Sequence, residues 1–492
     1  MSNRLDSVTR IGLSSVLVLS SIAHNTAVQA QAPATCTAQL QTVIPKIIQQ
    51  PASRTAYWGI LIQPLGSRTQ PLFSYNADQL FIPASSAKLL TTAAALSALT
   101  PHFQLRTPIF TTGQAPVLQT LRIVGQGDPS LSDGQLEQVA RQLKAQGVRR
   151  IATLIGDDSK FYGNWIEPSW AWEDIQGGDG LPINSLMLNG NVRVLQLTPQ
   201  QVGQPLKLQW ISPSVPRHLS MSNQTLTVPA TAPEFVETSQ SGDHLVVKGH
   251  FRAGAASETI DVPIPQPGIA FLERFRDVLQ NQQIQVDRLS LATVATTPPS
   301  KETFVSTIDS PRLPMFITQV NRKSDNFYAE ALLRQLGVVQ PQHLDLSTAA
   351  QGLMRLGKTL SKLGISPQGY RLVDGSGLSR KNLVSPRALV QTLQAMAQSP
   401  DAQIYRSSLA VAGSSGTLRR RFVGTPVQGN FQGKTGSLQG TDTLAGYLTL
   451  SRTQTLAISI FINHSTQSNE ELRQTIDAVV LAITEAKSCI MS

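Results

Sequence analysis

Pro83-Ala84-Ser85-Ser86-Ala87-Lys88-Leu89-Leu90-Thr91-Thr92-Ala93-Ala94-Ala95-Leu96 opens a helix predicted to run to about Leu99. Proline fits a first helical turn, where its missing N–H has no partner in any case. An i, i+3 spacing then sets Ser85 and Lys88 on one face. A serine hydroxyl is a weak nucleophile until a base takes its proton. Lysine can be that base only if burial or a second cation lowers its pKa from ~10.4. Leu89, Leu90 and Ala93 to Leu96 supply the apolar surroundings. Ser-x-x-Lys alone is common by chance, and a solvated helix start has the same spelling.

Two later stretches raise its weight. Lys434-Thr435-Gly436-Ser437 precedes two apolar runs, Leu444 to Leu450 and Leu456 to Ile462, and reads as an edge strand lining a cleft. Lys434 is then the second cation, and Gly436 lets a substrate backbone approach closely. Ser324-Asp325-Asn326 starts a helical stretch and offers a hydroxyl relay and a side-chain amide. Ser-x-x-Lys, Ser-Asp-Asn and Lys-Thr-Gly in this order are the set that β-lactamases and penicillin-binding proteins use. Other catalytic signatures are missing: there is no Gly-x-Ser-x-Gly, no His-Glu-x-x-His and no Gly-x-Gly-x-x-Gly. Gly429 to Thr435 imitates a phosphate loop but is one residue short and precedes no helix.

Working outward, Leu40, Val43, Ile44 and Ile47 have helical spacing within 36–50, with Pro45 inside, and 56–77 reads as a hairpin. From about 105 to 300, short strand-like runs (Leu121 to Val124, Val192 to Leu197, Leu206 to Ile211, His244 to Val247) alternate with Pro/Gly turns, and one clear helix lies near 134–146. Helices return over about 311–336, 345–363 and 386–398. After the two apolar strands, Ser468 and Glu471 form a capping box for a last helix buried along Leu472, Ile476, Val479, Val480 and Ile483. The expected segments are 1–30, a leader; 31–110 and 297–492, two parts of one catalytic domain; and 111–296, an insertion of one or two mostly-β domains.

The 492-residue chain is 41% apolar, enough for real cores, and 15% charged, too little for a coiled coil. A net charge of +10 favours anionic surroundings without choosing among them. Arg4 and Arg10, the apolar Ile11 to Ala23 and Val28-Gln29-Ala30 read as a cleaved export signal, its core too short to span a membrane. No later segment is long and apolar enough to serve as an anchor. Cys36 and Cys489, an even pair in an exported chain, read as one disulfide, with two free thiols as the alternative. Neither has a Cys or His at ligand spacing, so no metal or cofactor is expected. Arg419-Arg420-Arg421 has no interleaved aromatics; it reads as a solvated edge or one facing an anionic polymer, not a nucleic-acid site. Trp165, Trp170 and Trp172 read as loop packing, or more sharply as a glycan or peptide contact.

Ser85 and Ser324 stand about 240 residues apart, far too long for a single-domain class A β-lactamase. With Tyr75-Asn76-Ala77-Asp78, Gly125-Gln126-Gly127-Asp128-Pro129, Gly156-Asp157-Asp158-Ser159-Lys160-Phe161, Asp374 to Arg380 and Ala412 to Leu418, the chain from about 55 to 462 resembles the D-alanyl-D-alanine carboxypeptidase/endopeptidases, the class C low-molecular-mass penicillin-binding proteins. That resemblance implies an α+β multidomain fold: a β-lactamase/transpeptidase-like domain, an antiparallel sheet flanked by helices, carrying a largely β insertion. It implies a serine DD-peptidase acting on peptidoglycan stem peptides, acylated by β-lactams and working in a periplasm or cell-wall zone. Ser85, Lys88, Ser324, Asn326 and Lys434 are its expected catalytic residues, and the hydroxyls of Thr435 and Ser437 its expected carboxylate holders. Asp157, with Asp158 as fallback, matches a carboxylate that meets the free amine of a diamino acid. Arg380 and Gln439 fall where relatives line that pocket, and read equally as a packed surface arginine and an ordinary strand glutamine. The first and last helices are implied to lie side by side, which brings Cys36 near Cys489. A serine β-lactamase or esterase of the same fold, and a non-catalytic wall-binding scaffold, are the alternatives.

Overall fold

The computed structural model describes residues 34–50, 53–66, 70–212, 219–295, 301–338 and 345–486. The leader at 1–30, Cys489 and the side chain of Cys36 lie outside the described residues, and with them the expected disulfide.

The two apolar runs form strands Thr441–Thr449 and Thr455–Asn463. Both are buried on both faces, which is why they spell continuous rather than alternating hydrophobicity. They are the centre of an antiparallel six-stranded sheet ordered Ala410–Val411, Phe431–Leu438, Thr441–Thr449, Thr455–Asn463, Tyr57–Pro64, Phe73–Tyr75. Period-two alternation along Tyr57–Pro64 sends Trp58, Ile60 and Ile62 to one face and Leu61 to the other. Helices Ala34–Ile48 and Asn469–Glu485 lie side by side and cover the first face through Leu40, Ile44, Leu472, Ile476, Val480 and Ile483. The other face holds Lys88–Leu99, Leu313–Lys323, Asn326–Val338, Thr348–Lys362 and Pro386–Gln398. Burying each such Leu or Ile contributes about 1.5–3 kcal/mol. The capping box of the last helix forms as read: the Glu471 carboxylate accepts from Ser468 N at 2.8 Å, and Ser468 Oγ from Glu471 N at 3.3 Å.

Between the serine helix and Leu313, strands outnumber helices. One sheet runs Gln285–Ala292, Arg150–Asp157, Val117–Val124, Gln104–Gln114, Thr303–Arg312. Arg150–Asp157 is parallel to both its neighbours, and parallel pairs need long crossovers. Helices Asp133–Ala145 and Pro267–Asn281 supply them. The second of these was not anticipated, although Phe271, Leu272, Phe275, Val278 and Leu279 recur at helical spacing and are buried. Two three-stranded sheets, built from Val192 to Pro263, share a smaller core around Leu195, Leu245 and Val262. Gln104–Gln114 begins before residue 111 and Thr303–Arg312 lies beyond 296, so the larger sheet reaches past both expected boundaries.

One expected helix is two. The apolar pattern over 311–336 is continuous, yet Leu313–Lys323 ends at Ser324, which takes a left-handed φ of 66°, and Asn326–Val338 starts afresh. That break carries Ser324, Asp325 and Asn326 to the site.

Candidate active site

Ala84–Ala87 is a 3-10 turn, and the α-helix begins only at Lys88. Side chains three apart eclipse in a 3-10 turn, so Lys88 stands beside Ser85 more closely than an α-helix would bring it. Its Nζ donates to Ser85 Oγ at 2.9 Å, to Asn326 Oδ1 at 2.6 Å and to Ser376 O at 2.7 Å. Three acceptors hold one ammonium inside the protein, where Lys88 is fully buried. Ala84 has φ 46°, a costly value for a residue with a Cβ. Gly377, itself at φ +81°, packs so tightly there that a Cβ would lie 1.9 Å from Ala84 O. Gly377→Ala is therefore expected to lose about 2–4 kcal/mol from strain and overpacking. A urea melt measures that loss, and penicillin labelling should slow in the same variant.

Gly436 is also needed for packing within the protein. A Cβ there would lie 2.8 Å from Pro83 O and from Ser85 N, and 2.4 Å from Thr443 Oγ1. Its missing side chain lets the strand Phe431–Leu438 close on the serine turn. Among the described residues that strand has no strand partner on its outer side beyond Gly433, since Ala410–Val411 pairs only with Gln432 and Gly433. It is thus an edge where the site needs one. Lys434 Nζ, also fully buried, donates to Ser324 Oγ at 2.8 Å and to Thr435 O at 2.6 Å.

Burial lowers Lys88 to about 8, against the pull of Asp374, Asp325, Glu330 and Asp179. The expected second-cation effect falls on the other lysine: burial and then Lys88 push Lys434 well below its ordinary value. Behind Lys88, the Asp374-to-Arg380 stretch is held by Glu330, which no motif named. Glu330, pushed up to about 7 by burial and by Asp374, accepts from Gly375 N and Ser376 N at 2.8 Å each. Asp374 accepts from Gly377 N and Ser379 N at 2.7 Å, from Asn382 at 2.8 Å and from Trp170 Nε1 at 3.0 Å. Together they fix the loop whose Ser376 carbonyl grips Lys88.

A cleft of about 750 Å³ opens over these residues, lined by Ser85, Ser324, Asn326, Thr435 and Ser437. Asp174 and Asp179 of the insertion line it as well, and Asn326 Nδ2 donates to Asp179 O at 3.0 Å. Asp157 does not reach it. Its carboxylate accepts from Arg122 at 2.9 Å and from Ser159 Oγ at 2.6 Å, an internal tie at the end of its strand. Asp158 is buried under Asn184, Ser185 and Leu186. Asp174 instead meets Arg380, Nη1 to Oδ2 3.0 Å, so Arg380 joins the cleft through a partner the motif reading passed over. The overlooked signal is Trp170-Ala171-Trp172-Glu173-Asp174: buried Trp170 anchors this loop to Asp374, and Asp174 follows on the helix Trp172–Gln176. Gln439 sits exposed in the turn after the Lys434 strand, next to Leu438 of the cleft lining but not itself part of that lining. Ser437 Oγ, expected free for a substrate, donates to Asp442. Among the described residues no cluster of metal-binding side chains occurs.

A serine gripped by a buried lysine, with a second serine–lysine pair across the cleft, is the arrangement of an active-serine site. The D-Ala-D-Ala carboxypeptidase 3 (S13) family model matches residues 40–485. The chain belongs to that family of serine-type peptidases, the class C low-molecular-mass penicillin-binding proteins that the motifs resemble. It is 28% identical over 459 residues to a penicillin-sensitive carboxypeptidase A of Dictyostelium discoideum, covering 87% of each chain. It is 28% identical to a D-alanyl-D-alanine carboxypeptidase of Actinomadura sp. (strain R39), covering 83% of this chain and 78% of that one. Its fold matches the crystal structure of penicillin binding protein 4 from Haemophilus influenzae with a TM-score of 0.75 at 24% identity, over 90% of this chain and 98% of that one.

Proposed function

We propose that this chain is an exported serine DD-peptidase that cleaves the D-Ala-D-Ala end, or the cross-link, of peptidoglycan stem peptides through an acyl-enzyme. The Lys88 Nζ to Ser85 Oγ contact of 2.9 Å carries this reading, because it places a base of pKa about 8 on a serine that opens onto the cleft. Neutral Lys88 takes the Ser85 proton as Oγ attacks the carbonyl carbon of the penultimate D-Ala. Backbone N–H groups of Ser85 and Ser437 hold the developing oxyanion, a contribution of about 3–4 kcal/mol. As the C–N bond breaks, Ser324 and Lys434 pass a proton to the leaving amine. Water then hydrolyses the Ser85 ester by the same route in reverse. Asn326 orients the peptide amide.

The Asp174–Arg380 pair supports the substrate class. Its two charges match the ammonium and carboxylate of an amino-acid head group, such as the free end of a diamino acid in the stem. The role expected of Asp157 is thereby assigned to Asp174. Asp174→Ala should lower kcat/KM at least about tenfold for stems with a free diamino-acid end and far less for stems with a neutral side chain. Matched losses on both would make Asp174 merely structural.

Release of D-Ala from a stem pentapeptide, with labelling by a fluorescent penicillin, tests the reading. D-Ala release with a stable label supports it. Rapid turnover of the label points to the β-lactamase alternative, and no label to a scaffold. Export goes with the same reading, and non-reduced peptide mapping of exported protein checks the Cys36–Cys489 bond.

A further inference from the structure

The cleft is charged unevenly along its length. At the Asn326 end stand Asp174 and Asp179; at the Thr435 end stand Arg419, Arg420, Arg421 and Arg473, with Lys323 on the same lining. The arginine run follows a short 3-10 turn, Gly416–Leu418, which is tied to the catalytic strand where Thr435 Oγ1 donates to Thr417 Oγ1 at 2.8 Å. Two of the four guanidiniums are committed to protein. Arg421 is half-buried and held by Asp477 on the last helix. Arg473, on that helix too, lies 3.4 Å from Asp442 and donates to Ser437 Oγ at 3.3 Å. Arg419 and Arg420 are exposed, and neither has a carboxylate partner among the described residues. Like charges set side by side without partners repel, and an anion placed among them removes that cost.

Resting on the DD-peptidase reading above, we propose that this arginine rim is the leaving-group subsite and that it selects leaving groups carrying several carboxylates. Ser437 Oγ donates to Asp442 and Thr435 Oγ1 to Thr417 Oγ1, so each must turn from its partner, with Arg473 beside them, to meet the carboxylate next to the scissile bond. A single D-Ala leaving group has only that one carboxylate. It gives Arg419 and Arg420 nothing to bind. The leaving half of a cross-link is a second stem peptide, with further carboxylates along its length, and it reaches the outer arginines. The rim therefore tilts this site toward cross-link cleavage over trimming of single stems.

The test compares kcat/KM for a cross-linked stem dimer and for an uncross-linked pentapeptide, in wild type and in an Arg419→Gln/Arg420→Gln variant. Two exposed charge contacts of ordinary strength predict that the dimer-to-pentapeptide ratio falls about fivefold or more in the variant. Raised salt should lower the same ratio in wild type and barely move it in the variant. An unchanged ratio, or a wild type that cleaves only pentapeptide, overturns the proposal and leaves the peptidase reading intact. Penicillin labelling of the variant shows whether its catalytic centre is folded. If it is not, Arg420→Gln alone with the salt series gives the same comparison. A wild type that cleaves neither peptide and takes no penicillin label overturns the peptidase reading, and this proposal with it.

Discussion

Ser85→Ala is expected to remove peptide cleavage and penicillin acylation together, by at least ~10⁴-fold in rate, because no neighbouring hydroxyl can replace Oγ. Ser86 is fully buried, and its hydroxyl is spent on Pro83 O at 2.7 Å. Ser324 Oγ is held by Lys434 across the cleft. The substitution deletes one oxygen at a half-buried position, so the fold should survive with an unchanged melt. Residual acylation within tenfold of wild type would place the nucleophile elsewhere.

In the proposed mechanism Lys88 sets the pH dependence. Its base form predominates only above its pKa, which burial brings down to about 8, and falls about tenfold per pH unit below it. Acylation by penicillin should therefore climb about tenfold per pH unit below 8 and level off above it. A stopped-flow or gel-based rate series from pH 6 to 10 reads this directly. A profile flat across that range would mean Lys88 is not the base. Lys88→Ala should cost about 10²–10⁴-fold in rate through loss of the proton acceptor. It should cost stability as well, since Asn326 Oδ1 and Ser376 O lose a buried donor, about 1–3 kcal/mol for each left unsatisfied.

The parts of the molecule legible in the sequence are those that local spacing controls. Three short motifs gave Ser85, Lys88, Ser324, Asn326 and Lys434, and the structure brings all five together. Apolar periodicity gave the two central strands and the capped last helix. What escaped depends on contacts between distant segments. The apolar pattern from Leu313 to Val338 runs on through Ser324, and only the Ser-Asp-Asn motif, read as the start of a helical stretch, marks the break there. The break follows from Lys88 drawing on Asn326 and Lys434 on Ser324, both from other elements. Asp157 matched a motif position, but Arg122, with Glu302 beside it, claims its charge inside the inserted sheet. Asp174 lies in a tryptophan-rich loop, and the Trp170–Asp374, Asp174–Arg380 and Asn326–Asp179 contacts, all long-range, are what fold this segment over the cleft. Glu330 belongs to no motif, and its role rests on its carboxylate accepting from Gly375 N and Ser376 N, 45 residues and more along the chain.

The central claim is that Ser85 is a nucleophile driven by Lys88, and intact-mass measurement after penicillin treatment tests it most directly. One adduct of the antibiotic's full mass, mapped to the peptide containing Ser85 and absent from Ser85→Ala, is the predicted result. An adduct on any other residue, or none under conditions where a known penicillin-binding protein is fully labelled, would contradict it.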